Sequence, residues 1–407
     1  MTAQMVILNK FCVGLSSDSS VTLVGKDGPK RTFPTAEKIT SLPSPHSIAV
    51  LHSGSTEFLG IPYSVLLVEW IRTIPPEPLP TVTSYRDHLN AWILQQKHLF
   101  PAEMQDGYFG WMVRDFFLAV RRNLLQRCEE LGVVKDDWSS PRATEAIDSV
   151  IEEALNLLGS CAELDGWEDV DVNGILDKHR SLVDEAREWV FDDTPRSSAG
   201  DEGLDQVVKA LLPVFEDFAK DAVLAFVGFG SEEVFPAMDK VSYQGMVDGH
   251  LRVSETNRTV VSTDMDSSIN PLGQTEAVNT FLRAYNESFL STSHQRLEKF
   301  AGAIIEGLEL SDGQRAKLVT MEAAAHEDLG TDFEEASWSQ YLQPMLNTVA
   351  ALPIAEVARM AEALVGLQVL RQLTQADAET VGGPIDVAII TRQDGFQWVR
   401  HKSLSLN

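Results

Sequence analysis

Three polar residues near the start of the chain have types and an order that could do chemistry together: Thr2, Asp18 and Lys38. Thr2 follows Met1, and its side chain is small enough for methionine aminopeptidase to trim the Met. A threonine hydroxyl is a weak nucleophile that needs an adjacent base. A threonine at the chain terminus brings its own, because the α-amino group titrates near ~7.7–8.0. An ammonium beside the hydroxyl favours the alkoxide, and a carboxylate holds that ammonium charged and oriented. Each residue also has a plainer reading. Asp18, set among Ser16, Ser17, Ser19 and Ser20, suits a turn. Lys38 suits a solvated strand end, and Ser53-Gly54-Ser55 suits a helix cap. Their joint order and spacing favour the chemical reading.

Counted with Thr2 as first residue, these positions resemble the proteasome β subunit and its bacterial relative, the HslV protease. That family of N-terminal nucleophile (Ntn) hydrolases begins its mature chain with Thr. It carries an Asp or Glu after the second strand, a Thr a few residues on, and then a Lys before an apolar residue. Asp18 and Thr22 fall where the family places its own. Lys38, before Ile39, falls there after a small insertion in the turn 25–28. His52-Ser53-Gly54-Ser55 matches the strand-to-helix junction that builds the family's oxyanion hole. The resemblance therefore implies oxyanion or substrate contacts from Ser53 and Gly54. A weaker likeness resumes at Val227-Gly228-Phe229-Gly230 and at Gly273-Gln274. Residues 377–383 resemble the family's Asp-Ala-x-Ser-Gly-Gly with one residue too many, so Asp377 and Thr380 best match its supporting Asp and Ser. The Ser-Gly before the family's third helix has no clean counterpart. The chain is similar as well to uncharacterised bacterial proteasome-like proteins sharing a Met-Thr-Ala start and a Gly-Gly-Pro-Ile-Asp-Val-Ala end.

No other pattern competes. The nine histidines form no H-E-x-x-H or H-x-H pair, and His326-Glu327-Asp328 suits a helix face. There is no Walker sequence, no G-x-G-x-x-G and no G-x-S-x-G elbow. The reading calls for no cofactor and no metal. A net charge of -27 disfavours nucleic-acid phosphate and anionic membrane as partners. Cys12, Cys128 and Cys161 are odd in number and far apart. That argues against a disulfide framework and fits a reducing cytoplasm. The first ten residues lack the pattern of a signal peptide, and no apolar run reaches the ~18 residues of a membrane span.

The elements that must position these residues read as β, then α, then β again. Strands are expected at 5–8, 11–15, 21–24, 39–42 and 47–52, and a helix over 55–74, stopped by Pro75-Pro76. Amphipathic helices follow at 85–99, 112–131, 142–158, 172–190 and 204–219, with a flexible loop over 192–201. Strands return at 222–230, 240–253 and 258–262. Helix covers 274–375 with breaks near 311–313 and Gly330. A final hairpin, 385–391 with 396–402, turns on Asp394-Gly395. Strands at both ends and in the middle must pair across the helical blocks to bury their apolar faces. The fold class is therefore α+β: an αββα Ntn-hydrolase sandwich with large helical insertions. The expected division is 1–80 and 221–407 as core and 81–220 as a helical insertion. The resemblance implies an N-terminal threonine hydrolase that cleaves an amide bond, with a peptide as first substrate class and a homo-oligomeric state. A structural or regulatory member of the same fold and a small-molecule amidase stay open, because fold does not fix function.

Overall fold

Side-chain alternation along antiparallel strands decides the architecture. The computed structural model describes residues 2–23, 31–214, 221–308, 310–374 and 381–402. The chain opens with a hairpin, β1 (Ala3–Asn9) and β2 (Cys12–Ser17), turned by the Asn9 side chain, which accepts from the Phe11 and Cys12 amides. A small ribbon follows, β3 (Val21–Leu23) with β4 (Arg31–Phe33), then β5 (Ile39–Ser41) and β6 (Ser47–Gly54). A tiny hairpin of β7 (Glu57–Phe58) and β8 (Ile61–Pro62) leads to α1 (Tyr63–Ile71) and α2 (Val82–Gln95). Next come α3 (Ala102–Glu130), α4 (Pro141–Gly159), α5 (Val172–Lys178), α6 (Arg180–Phe191) and α7 (Ser198–Leu211). Strands return as β9 (Ala222–Phe229), β10 (Ala237–Val247), β11 (His250–Val260) and β12 (Ser267–Gly273). Five helices follow: α8 (Glu276–Arg283), α9 (Glu287–Gly307), α10 (Asp312–Ser337), α11 (Gln343–Ala350) and α12 (Ile354–Leu373). The last strands are β13 (Asp386–Thr391) and β14 (Gly395–Arg400).

Two five-stranded antiparallel sheets result, ordered β12-β1-β2-β13-β14 and β11-β10-β9-β6-β5. Successive side chains point to opposite faces of a strand, and β1, β6, β9 and β13 each serve two cores. Val6, Leu8, Val13, Leu15, Ala388 and Ile390 of the first sheet meet Ala49, Leu51, Ala225 and Val227 of the second. The alternate residues Met5, Ile7, Val387 and Ile389 pack against α8, α11 and α12. Ile48, Val50, Leu224 and Phe226 pack against α1 and α2, with Trp70 and Tyr85 fully buried there. The layers thus run helix, sheet, sheet, helix. Burial on both faces explains why every residue of β1, β2 and β13 is buried. Gly14 serves this packing directly, since a Cβ there would stand 2.7 Å from Val357 of α12.

Helices α3 to α7 bury their apolar stripes mainly in one another. They are tied to the second sheet through β11. Fully buried Arg252 donates to the carbonyls of Leu212 and Val214, and the Trp167 indole donates to Leu251 O.

Several local expectations need correction. Residues 55–62 are not helical: the β7–β8 hairpin occupies them, and α1 starts at Tyr63. Leu59 and Gly60 both have positive φ there, which helix forbids. The segment 240–253 is two strands joined at Asp248-Gly249, both also at positive φ. The helix expected at 172–190 is two, divided at His179. The loop at 192–201 is shorter, because Ser197 caps α7 through the Gly200 amide. Gly330 interrupts nothing and lies inside α10. Strand β12 carries no apolar alternation and was not expected; its Pro271 is tolerated because the strand lies at a sheet edge. The turn 25–28 lies outside the described residues.

Candidate active site

Asp18 follows directly on β2 and is fully buried. Its carboxylate accepts four hydrogen bonds. The Oδ1 atom takes the Ala3 amide at 2.9 Å and the Lys38 ammonium at 2.7 Å. The Oδ2 atom takes the Ser20 and Gly382 amides, both at 3.1 Å. Four donors use up the acceptor capacity of a carboxylate. The Lys38 side chain is 3 % exposed, so this is a buried pair rather than a solvated strand end. Because Oδ1 receives both Lys38 and Ala3, the ammonium is held one residue from Thr2. Thr2 itself is 8 % exposed. Its carbonyl accepts from the Gln274 amide at 2.6 Å, and Asp18 N–H donates to Ala3 O at 3.0 Å. The start of the chain is therefore clamped from two sides before β1 begins.

Burial pushes the Lys38 ammonium below the ordinary lysine range. Asp18 opposes the shift by charge and hydrogen bond, and the positive charge of Lys402 adds to it. Burial and the Lys38 charge also lower His52, to about 4, so its imidazole is neutral at ordinary pH.

Gln4 joins the two sheets at this point. Its amide donates to Ser17 Oγ, to Lys38 O and to His52 O, at 3.1 to 3.3 Å. It shares the inward parity of Val6 and Leu8, which makes it a polar residue in an apolar layer. That break in the apolar alternation is the signal that marks Gln4 in the sequence. His52 N–H donates to Lys38 O. Strand alternation then turns the Gly54 N–H toward the same edge. The Ser55 N–H faces away and is taken by Asp221 O at 2.8 Å. Gly54 is left-handed at φ +83, and a Cβ there would stand 2.4 Å from Asp221 O, so only glycine fits. Gln4 Oε1, His52 Nδ1 and Tyr63 Oη are buried with no hydrogen-bond partner among the described residues. Such groups cost about 1–3 kcal/mol each and concentrate at functional sites.

No family model matches the chain, and no curated protein matches it in sequence. Among solved structures it is similar to a Gly-1 mutant of Anbu from Hyphomicrobium sp. strain MC1. The two share 11 % identity over 100 % of this chain and 88 % of that one, with a TM-score of 0.29. A likeness this distant supports no conclusion about the site.

The structure brings Thr2, Asp18 and Lys38 into one cluster and sets Ser53 and Gly54 at the end of the strand that borders it. Ser53 is buried, but the strand-to-helix junction lies further on, after the β7–β8 hairpin. The Thr22 side chain, Asp377 and Thr380 lie outside the described residues. The neighbouring contact from the C-terminal segment comes instead from the Gly382 backbone, which no side-chain motif announces. Of the alternative nucleophiles, Cys12 is fully buried and its thiol is pushed up to about 12. Glu37, Asp386 and His401 present ligand atoms within 4.8 Å of one another, but the Lys402 ammonium already bridges the two carboxylates. They form an ion-pair cluster.

Among the described residues no helix is long and apolar enough to cross a membrane.

Proposed function

We propose that the chain is an N-terminal threonine hydrolase that cleaves an amide bond, with Thr2 as nucleophile once Met1 is removed. The observation that carries this reading is the shared oxygen of Asp18, which ties the Lys38 ammonium to the amide of Ala3. The layered order of helix, sheet, sheet and helix supports placing the chain with the Ntn hydrolases. The free α-amine of Thr2 takes the hydroxyl proton. Lys38, buried and short of solvent, stabilises the alkoxide, and Asp18 holds it in place. The Gly54 N–H is positioned to donate to the oxyanion of the tetrahedral intermediate. The α-amine then returns its proton to the leaving nitrogen. The unpartnered polar atoms of His52, Tyr63 and Gln4 favour a substrate with polar groups, such as a peptide.

A panel of peptidyl epoxyketones tests this, because their ketone and epoxide capture a hydroxyl and an amine on one residue. An adduct on Thr2, located by mass spectrometry, is the expected result. Thr2→Ala and a version with residues fused before Thr2 should both fail to label, while Thr2→Ser keeps some reactivity. Labelling centred on another residue, or equal labelling with the fused N-terminus, would falsify the assignment.

A further inference from the structure

A second lysine–aspartate pair stands beside the first, and the threonine chemistry does not use it. Asp386 opens β13, where it pairs with Ser17, the residue before Asp18. Its Oδ1 accepts the Lys402 amide at 2.8 Å, and its Oδ2 accepts the Lys402 ammonium. The same ammonium reaches Glu37 Oε1 at 3.0 Å, and Glu37 immediately precedes Lys38. Ser19 Oγ donates to Pro384 O at 2.7 Å and approaches Asp386 Oδ2 at 3.4 Å, closing the link back to Asp18. The Lys402 and Asp386 side chains are 4 % and 3 % exposed. A lysine is rarely buried without a partner, and one this enclosed, clamped by two carboxylates, points to a task.

We propose that Lys402 is a positioning residue for Lys38: its ammonium, fixed by Asp386 and Glu37, sets the electrostatic field at Lys38 and thereby the pH window in which Thr2 is activated. The inference rests on the reading of Lys38 as the partner of Thr2. Charges in so buried a place are weakly screened. The groups that face Lys38 are Asp18 from the end of β2, His52 from β6 and Lys402 from beyond β14, with Glu37 its neighbour in the chain. His52 is neutral, so Asp18 and Lys402 act in opposite senses: Asp18 holds the proton on Lys38, and Lys402 helps expel it. Replacing Lys402 by a neutral residue removes the expelling charge and leaves Asp386 and Glu37 uncompensated. Both changes make Lys38 hold its proton to higher pH.

The test compares Lys402→Gln and Lys402→Arg in the full chain with two readouts. One is the pH profile of epoxyketone labelling at Thr2. The other is the titration of the Lys38 Nζ resonance in lysine-labelled protein, assigned by its loss in Lys38→Met, which needs no activity. In Lys402→Gln both should move upward, by roughly half a unit to one unit, and Lys402→Arg should restore the original values. If Lys402→Gln does not fold, Lys402→Gln/Asp386→Asn leaves no lone charge on Asp386, and the same upward shift is expected. Labelling with both readouts unmoved in the neutral variant overturns this proposal alone. Failure of the unsubstituted protein to label at any pH overturns the hydrolase reading, and this proposal with it.

Discussion

Replacing Asp18 by Asn keeps the shape of the side chain and removes its charge, and the structure sets the cost. The carboxylate takes two donors on each oxygen. An amide has one accepting oxygen and one NH2. It must therefore set its own N–H groups against either the Ser20 and Gly382 amides or Lys38 and the Ala3 amide. In either orientation Lys38 is left buried with no counter-ion. Breaking a buried pair from one side costs about 3–5 kcal/mol. Lys38→Met should cost less, about 1–3 kcal/mol, because Asp18 keeps its three backbone donors and methionine fills similar space. The double variant Asp18→Asn/Lys38→Met removes the lone charge, so it should lie near the single Lys38→Met. The implied coupling is then about 3–5 kcal/mol, the whole cost of the Asp18→Asn change. Urea unfolding followed by tryptophan fluorescence reads it, Trp70 being fully buried against the second sheet. A coupling energy near zero would refute a buried Asp18–Lys38 ion pair. Substituting Asp18 or Lys38 therefore perturbs folding and chemistry together, and only substitution of Thr2 separates them.

Two further outcomes follow from the same geometry. His52 is held neutral, with a folded pKa of about 4 against ~6.5 in an unfolded chain. The unfolded chain therefore binds a proton that the native protein refuses, and stability falls as pH drops from ~6.5 toward 4, by about 3 kcal/mol in all. His52→Leu should flatten unfolding free energy against pH by about one proton over that range; identical slopes in the two proteins would show that His52 is not buried as described. Gly273 has φ +75, and a Cβ there would stand 2.1 Å from Thr2 O, so Gly273→Ala must displace Thr2. Epoxyketone labelling should slow by about 100-fold, whereas Gly249→Ala, at φ +82 with open space around it, should leave the rate unchanged. Undiminished labelling in Gly273→Ala would mean that this turn does not place the nucleophile.

The strands that carry the site were legible because each is short, apolar and bounded by turn residues. The β1–β2 hairpin, β5, β6 and the closing β13–β14 hairpin all lie within a residue or two of their expected places. Two of the errors share one cause. At 55–62 and at 248–249 the backbone turns through positive φ, at Leu59, Gly60, Asp248 and Gly249, and three of these four are residues that visit that region. The flanking apolar residues nevertheless fit helix or continuous strand equally well. Strand β12 was missed because an edge strand need not alternate. Within the site, the order of Thr2, Asp18 and Lys38 was legible from side-chain types. Three of the four groups that hold the Asp18 carboxylate are backbone amides, and no choice of side chain advertises those. Gln4, Asp386 and Lys402 were visible only as polar residues in otherwise apolar or terminal stretches.

The span of these contacts carries a consequence of its own. Asp18 is bound by residues 3, 20, 38 and 382, and the last of these comes from the far end of the chain. Strand β13 enters the first sheet beside β2, between β2 and β14, so the pocket for the carboxylate is incomplete until the C-terminal hairpin has been added. Insertion of β13 supplies the Gly382 amide, buries both charges and brings Asp386 and Lys402 alongside. Contacts so distant in sequence form late, since the loop must close before they stabilise anything. Thr2, Asp18 and Lys38 lie close together in the sequence, but the burial and the fourth hydrogen bond of the Asp18 carboxylate depend on residues from 382 onward.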